Sequence, residues 1–179
     1  MSRLEIVPVG GADAGLLQAL AAELDRRLGT VSELGAPLAL DEDWWDAERG
    51  RYLSGPIVDT LLVRAKISRC DPHECWWLGV AEAELCAPGY DVIFGEATVE
   101  GPCAVVGLGG LRGRSEDGTS MLWTRLVTSA LHELGHLAGA EHCGEPECVM
   151  FPSRDIRDTD RKGDAFCAGC HERVSARRA

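Results

Sequence analysis

His132-Glu-Leu-Gly-His136-Leu-Ala-Gly139-Ala-Glu-His142-Cys143 is the stretch on which the reading of this 179-residue chain turns. It closes a helical pattern over Met121–Leu137, where Trp123, Leu126, Ala130, Leu134 and Leu137 fall within about 80° of one another at 100° per residue and read as a core-facing stripe. His132 and His136 lie about 40° apart, on the side away from that stripe. Imidazoles so spaced can both reach one Zn²⁺ at about 2.0–2.1 Å, while Glu133 between them reaches only a water. A lone histidine on a helix is usually packed or solvated. The pair with its glutamate is different, because this composition yields His-Glu-x-x-His by chance only about 0.01 times. Gly139 can take positive φ, end the helix and turn His142 back into a third ligand position. Three protein ligands and one open position is the catalytic pattern of zinc, since a structural site closes its fourth position.

Cys143 follows immediately, and the pairs Cys143-x4-Cys148 and Cys167-x2-Cys170, separated by eighteen residues, have the spacing of a structural four-thiolate zinc site. Such a zinc contributes about 10–16 kcal/mol, as much as the about 5–15 kcal/mol total stability of an ordinary domain, so it can order a short segment that lacks a core of its own. Charge marks that segment too: residues 1–150 carry 11 basic and 24 acidic side chains, residues 151–179 carry 7 and 5. The reading is therefore two zinc ions per chain, an N-terminal α/β subdomain over 1–139 ending in the zinc helix, and a small C-terminal subdomain over 140–179. Cys167-Ala-Gly-Cys170-His171 also fits covalent haem attachment, but that would strand Cys143 and Cys148 and needs an oxidising compartment. Cys70, His73 and Cys75 offer three ligands on one turn without a fourth and read as an exposed loop. Cys86 and Cys103 read as small buried strand residues.

Upstream, Leu4–Val9 reads as a strand that Pro8 pushes toward an edge or a strand end. A helix follows, with Asp13 as N-cap and Gly29 at its stop. Val31–Leu40 reads as a second strand. A further helix starts at Ser54, with Ile57, Val58, Leu61, Leu62 and Ala65 on one side. Strand-like runs come at Trp76–Leu85, Tyr90–Val99 and Cys103–Leu108. The whole is an α/β layer with a small mixed sheet. A formal charge of −11 disfavours nucleic acid and anionic lipid. No apolar run reaches the roughly 18–20 residues of a membrane span, nothing before Gly10 looks like a signal peptide, and the expected setting is a cytoplasmic monomer with thiols kept reduced.

Taken in order, His132–Cys143, Cys148-Val-Met150 and Phe166-Cys167-Ala-Gly-Cys170 resemble the archaemetzincins, the archaelysin family of metzincin zinc metallopeptidases. Weaker similarity extends to Leu4–Gly10, Tyr90–Glu96 and Ala104–Leu108. The resemblance implies a metzincin-like fold with a twisted mixed sheet over the active-site helix, a cleft between two subdomains, peptide-bond hydrolysis, and Met150 as the Met-turn residue beneath the catalytic zinc. The expected chemistry is attack of a zinc-activated water on the scissile carbonyl with Glu133 as general base. Tyr52 and Tyr90, the only tyrosines, are remote from the motif in sequence, so the metal alone is expected to stabilise the oxyanion. The substrate is expected to be a short or unfolded peptide extended along an edge strand at Cys103–Leu111, whose Gly107, Gly109 and Gly110 would make that template flexible, the KM high and the specificity broad. The competing class is a zinc-stabilised binding module whose open site is unused, although Glu133 would then have no duty.

Overall fold

The computed structural model describes residues 3–69, 71, 73–98, 101–113 and 120–177. Alternation along three strands sets the architecture. In β1 (Arg3–Val9), Leu4 and Ile6 face one side while Val7 and Val9 face the other. The same split runs through the strands later named β5 and β9, with Trp76, Leu78, Val80, Ala104 and Val106 on the first face and Trp77, Ala81, Cys103 and Val105 on the second. Strands apolar on both faces must be covered on both, which is the condition of a parallel sheet between helices. Helix α1 (Ala14–Leu28) covers the first face. Its N-cap Asp13 accepts from Leu16 N at 2.7 Å, and Gly29 closes it at φ 63°. β2 (Val31–Leu34) returns beside β1; the regular strand ends there instead of continuing to Leu40, and beyond it only an isolated bridge joins Leu38 to Val9. Of its two expected places Pro8 takes the strand end, one residue before β1 stops, and not an edge, because β1 pairs with β2 on one side and β5 on the other. Its missing N–H falls past the last rung of β2, and its carbonyl still accepts from Leu38 N at 2.8 Å.

After a 3₁₀ turn at Glu42–Trp44 comes a short hairpin, β3 (Trp45–Asp46) and β4 (Arg51–Leu53). Helix α2 (Ser54–Ile67) packs Ile57, Val58, Leu61 and Ala65 on the second face of the sheet. The runs expected at Trp76–Leu85 and Tyr90–Val99 each divide, into β5 (Cys75–Ala81) and β6 (Leu85–Ala87), and into β7 (Tyr90–Ile93) and β8 (Gly95–Ala97); Val99 lies outside the described residues. The division makes two sheets from the expected one. The larger has the order β2-β1-β5-β9-β8 and the smaller β3-β4-β6-β7.

β9 (Cys103–Gly107) is parallel to β5 and antiparallel to β8, and all five of its residues are buried. It is therefore an interior strand, and Leu108–Leu111 is a helical turn, α3. The edge is β8. The glycines serve close packing: a methyl on Gly109 would come within 2.5 Å of Glu84 N and 2.7 Å of the Ala83 carbonyl carbon. Cys103–Leu111 is therefore no flexible template, and no high KM is expected from it.

Helix α4 (Leu122–Leu137) crosses the first face and is buried on nearly every side from Arg125 onward. Trp123 departs from the expected stripe, being 40% exposed on the first turn of α4, where Leu122 and Thr124 are not buried either. Residues Cys148, Val149, Met150, Cys170 and Val174 pack into the same apolar cluster as α1 and α4. The C-terminal segment adds α5 (Ile156–Arg161) and α6 (Ala168–Arg177). It is tied back by Val149 N to Ala165 O at 2.8 Å and by Arg27 to Asp164. No helix among the described residues is long and apolar enough to cross a membrane.

Candidate metal centres and active-site cleft

Helix α4 delivers His132 and His136, and Gly139 (φ 82°) turns the chain so that His142 joins them. The three rings stand in a triangle with centroids 4.7, 4.9 and 5.3 Å apart, and one nitrogen from each lies within 4.8 Å of the others. The opposite nitrogens are already engaged. His132 Nδ1 sits 2.8 Å from the Val149 carbonyl and His136 Nδ1 2.8 Å from the Ala140 carbonyl, so each Nδ1 is the protonated donor. That leaves the two Nε2 lone pairs facing each other at 3.2 Å without a proton between them. Tetrahedral zinc at about 2.0–2.1 Å holds its nitrogens about 3.3 Å apart, and the site fits that ion. Burial lowers the affinity of all three imidazoles for protons, His132 falling to about 3 with the Lys162 ammonium adding to the effect, so they are neutral and ready to ligate at neutral pH.

Beneath the helix, Met150 is fully buried against Gly135, the residue just before His136. A methyl at Gly135 would collide with the Met150 sulfur and approach the Phe166 ring to 2.9 Å. The four cysteines Cys143, Cys148, Cys167 and Cys170 bring their sulfurs within 4.8 Å of one another, Cys143 and Cys167 at 3.8 Å. Zinc–thiolate bonds of about 2.3 Å in a tetrahedron space sulfurs by about 3.8 Å. Backbone N–H groups of Glu145, Met150 and Cys167 point at these sulfurs from 3.3 to 3.5 Å, favouring thiolates. The Cys170 N–H, foremost, draws the Cys167 thiol down to about 7, while burial pushes Cys148 and Cys170 up. Cys86 and Cys103 are free and buried. Cys75 is disulfide-bonded, which corrects the expectation that every cysteine outside the zinc site is a thiol. Cys70 lies outside the described residues, and Asp71, His73 and Glu74 are exposed.

A cleft of about 780 Å³ runs over the three histidines. One wall is β7–β8 with Tyr90, Ile93, Phe94 and Gly95, and the other is Gly139–His142 with Pro152, Ser153, Thr159 and Lys162. Glu133 is buried between α4 and β8, and desolvation pushes its carboxyl up to about 8 against the pull of the Lys162 ammonium. Three of these residues escape sequence reasoning. Tyr90, remote from the motif in sequence, stands on the cleft wall, whereas Tyr52 packs edge-on against Trp45. Gly95 backs Glu133. Lys162 is 7% exposed, donates to the Phe151 carbonyl at 3.1 Å and lies 3.2 Å from His132 Nδ1. In the charged run Arg154–Lys162 nothing distinguishes this lysine from its solvated neighbours.

The model of peptidase family M54 matches residues 70–176. An archaemetzincin of Methanopyrus kandleri is 33% identical over 146 residues, 81% of this chain and 78% of that protein. One from Pyrobaculum aerophilum is 42% identical over 131 residues, covering 73% and 75% of the two chains. Among solved structures, the Archaeoglobus fulgidus archaemetzincin complexed with malonate superposes with a TM-score of 0.79 at 27% identity, covering 96% of this chain and 99% of that one. The M. kandleri archaemetzincin gives 0.80 at 27% identity, covering 98% and 94%.

Proposed function

The chain belongs to peptidase family M54, the archaemetzincins, and is a zinc metallopeptidase; from that premise we propose that His132, His136 and His142 hold the catalytic zinc, that Glu133 is the general base, and that short or unfolded peptides are hydrolysed in the cleft. The observation carrying this reading is the pair of Nε2 lone pairs at 3.2 Å, each set by a carbonyl behind its own ring. Zinc at that position supplies Lewis-acid activation of a water and of the scissile carbonyl oxygen.

The chain's own residues do the rest. Glu133, buried beside the three histidines and acting as the carboxylate, takes a proton from the attacking water and returns it to the leaving amine. The edge strand β8 orients the peptide. Phe94 and Thr98 bond across to Gly107 and Cys103, so the main-chain groups of Gly95 and Ala97 point away from β9 toward the cleft. An extended peptide can pair with them, and three residues of template suit a short stretch of unfolded chain. Met150 supports the helix from below as the Met-turn. Cys143, Cys148, Cys167 and Cys170 take a second, structural zinc that closes residues 140–179 as a small subdomain against 1–139.

The test is metal analysis joined to a mixed-peptide cleavage assay on wild type and Glu133→Gln. Two zinc equivalents in both proteins, with cleavage in wild type and a loss of about 10²–10⁴ in the variant, is the expected result. Equal cleavage by the two would remove Glu133 from the reaction, and no cleavage by either would leave the open site unused.

A further inference from the structure

A methyl group placed on Gly95 would lie 2.6 Å from Glu133 Oε1, 2.7 Å from its Cγ and 2.8 Å from its Cδ. Carbon contacts are comfortable only at about 3.5–4.0 Å, so the glutamate occupies the volume that any side chain here would need. Backbone conformation does not explain the glycine. Gly95 opens β8 and has no positive φ, and a glycine in a strand weakens it unless something must approach closely. The demand is local to this residue. Ala97, two positions on and on the same face, carries its methyl into the cluster around α4. Glu96, between them, turns the other way and meets the Ser54 hydroxyl at the start of α2.

Glu133 is 6% exposed, with its helix packed against β8 and β9, and its one open side is the cleft, so a methyl at position 95 would drive the carboxylate into the space a peptide needs. A shift forced from the Gly95 side would move the carboxylate itself. The same strand offers its outward main-chain groups to a peptide, so strand, base and substrate would share one reference surface.

We propose that Gly95 is a positioning residue for the general base: by having no side chain it lets the backbone of the edge strand back the Glu133 carboxylate and set its distance from a peptide paired to that strand. The inference rests on the reading of Glu133 as the base.

Four proteins test it: wild type, Gly95→Ala, Glu133→Ala and the double variant, each assayed for zinc content, melting temperature, kcat and KM. Gly95→Ala should retain wild-type zinc and a KM within about threefold, while kcat falls at least about tenfold, as displacement of a catalytic group implies. Its melting temperature should drop by about 3 °C or more from overpacking, and that drop should vanish in the Glu133→Ala background, where the space is empty. If Gly95→Ala fails to fold, the double variant should fold and bind zinc. The inference is overturned by a kcat within twofold of wild type, by an equal melting loss in both backgrounds, or by a double variant that also fails to fold. Full activity in Glu133→Ala would instead overturn the base assignment, and this inference with it; full activity in Gly95→Ala alone leaves that assignment standing.

Discussion

Arg125 holds Asp160 in a two-pronged ion pair, Nε and Nη2 donating to the two carboxylate oxygens at 2.7 and 2.8 Å. Its remaining Nη1 donates to the Leu111 and Arg112 carbonyls at 3.1 and 3.2 Å. One guanidinium thus joins α4, the helix that carries His132 and His136, to α5 and to the chain leaving α3. α5 leads directly into Lys162, so the cleft wall that carries Thr159 and Lys162 is braced to α4 through a residue that touches neither cluster of candidate metal ligands.

Arg125→Met should therefore destabilise the fold by on the order of 2–4 kcal/mol, since it leaves Asp160 and two carbonyls without their donor. A melting temperature lower by roughly 5–15 °C is the corresponding reading. Asp160→Asn, which still offers one acceptor, should cost less. A change under 2 °C in Arg125→Met would mean that water replaces the guanidinium without loss.

The metal-free protein should be most stable near pH 6.5. Burial takes His132 down to about 3 from an ordinary 6.5, and His136 and His142 move the same way. The unfolded chain then binds protons that the folded chain refuses, so stability is complete above 6.5 and is lost as pH falls toward 3. Glu133 acts in the opposite sense. Raised from 4.5 to about 8, it holds a proton in the folded chain that the unfolded chain has released, and its contribution disappears as pH climbs across that interval. Zinc should abolish the second decline, because a cation beside Glu133 favours the carboxylate. Melting curves of chelated and zinc-loaded protein from pH 4 to 8.5 are the measurement; a metal-free curve that keeps rising through pH 8 would contradict the assignment.

What was legible in the sequence is what local chemistry decides. Asp13 and Gly29 bound α1 because capping is settled within one turn, and His132 and His136 meet because helical spacing alone brings them together. His142 joins them through one further local property, the capacity of Gly139 for positive φ. The rest depends on which segments meet across the fold. β9 looks like an edge until β8 folds back upon it. Gly107 and Gly109 look flexible until Ala83–Leu85 is laid against them. Gly95, Tyr90 and Lys162 carry no local signature at all, and they enter the cleft only through the pairing of β8 and the path of the chain after Met150.

Gly135→Ala should strike the catalytic centre from below. The added methyl meets the Met150 sulfur and the Phe166 ring, and overpacking of this kind costs about 1–3 kcal/mol. Because Val149 orients His132 and adjoins Met150, a displaced Met-turn should weaken the three-histidine site while the four-cysteine site keeps its ion. Titration with a mild chelator, followed by metal analysis, should show the first zinc leaving at lower chelator concentration than in wild type. Unchanged retention would mean that the turn yields without moving His132.

Cys167→Ser should remove the structural zinc and leave one equivalent, since four thiolates are needed to close that site. Its wider effect should be confined. Val149 N–Ala165 O, Gly163 N–Glu147 O and the Arg27–Asp164 pair still hold the segment between the cysteine pairs, and Arg125–Asp160 holds α5. Limited proteolysis should therefore find residues 151–166 and α4 as resistant in the variant as in wild type. Two zinc equivalents in Cys167→Ser would remove Cys167 from the ligand set.

Ala97→Pro tests the strand on which substrate is proposed to lie. Thr98 N bonds to the Cys103 carbonyl at 2.9 Å, and Gly107 N to the Phe94 carbonyl at 3.0 Å. Antiparallel alternation then gives β9 the main-chain groups of Glu96 and gives the open edge those of Gly95 and Ala97. Proline at 97 deletes one outward donor without breaking the ladder to β9, at an edge position where proline is tolerated. A single hydrogen bond to substrate contributes about 0.5–1.5 kcal/mol, so kcat/KM should fall by roughly 2- to 12-fold at unchanged zinc content and melting temperature. The loss should appear for peptides long enough to reach Ala97 and vanish for dipeptides held only at the metal. Unchanged kcat/KM for long peptides, with zinc in place, would mean that the peptide runs along the opposite wall at Gly139–His142.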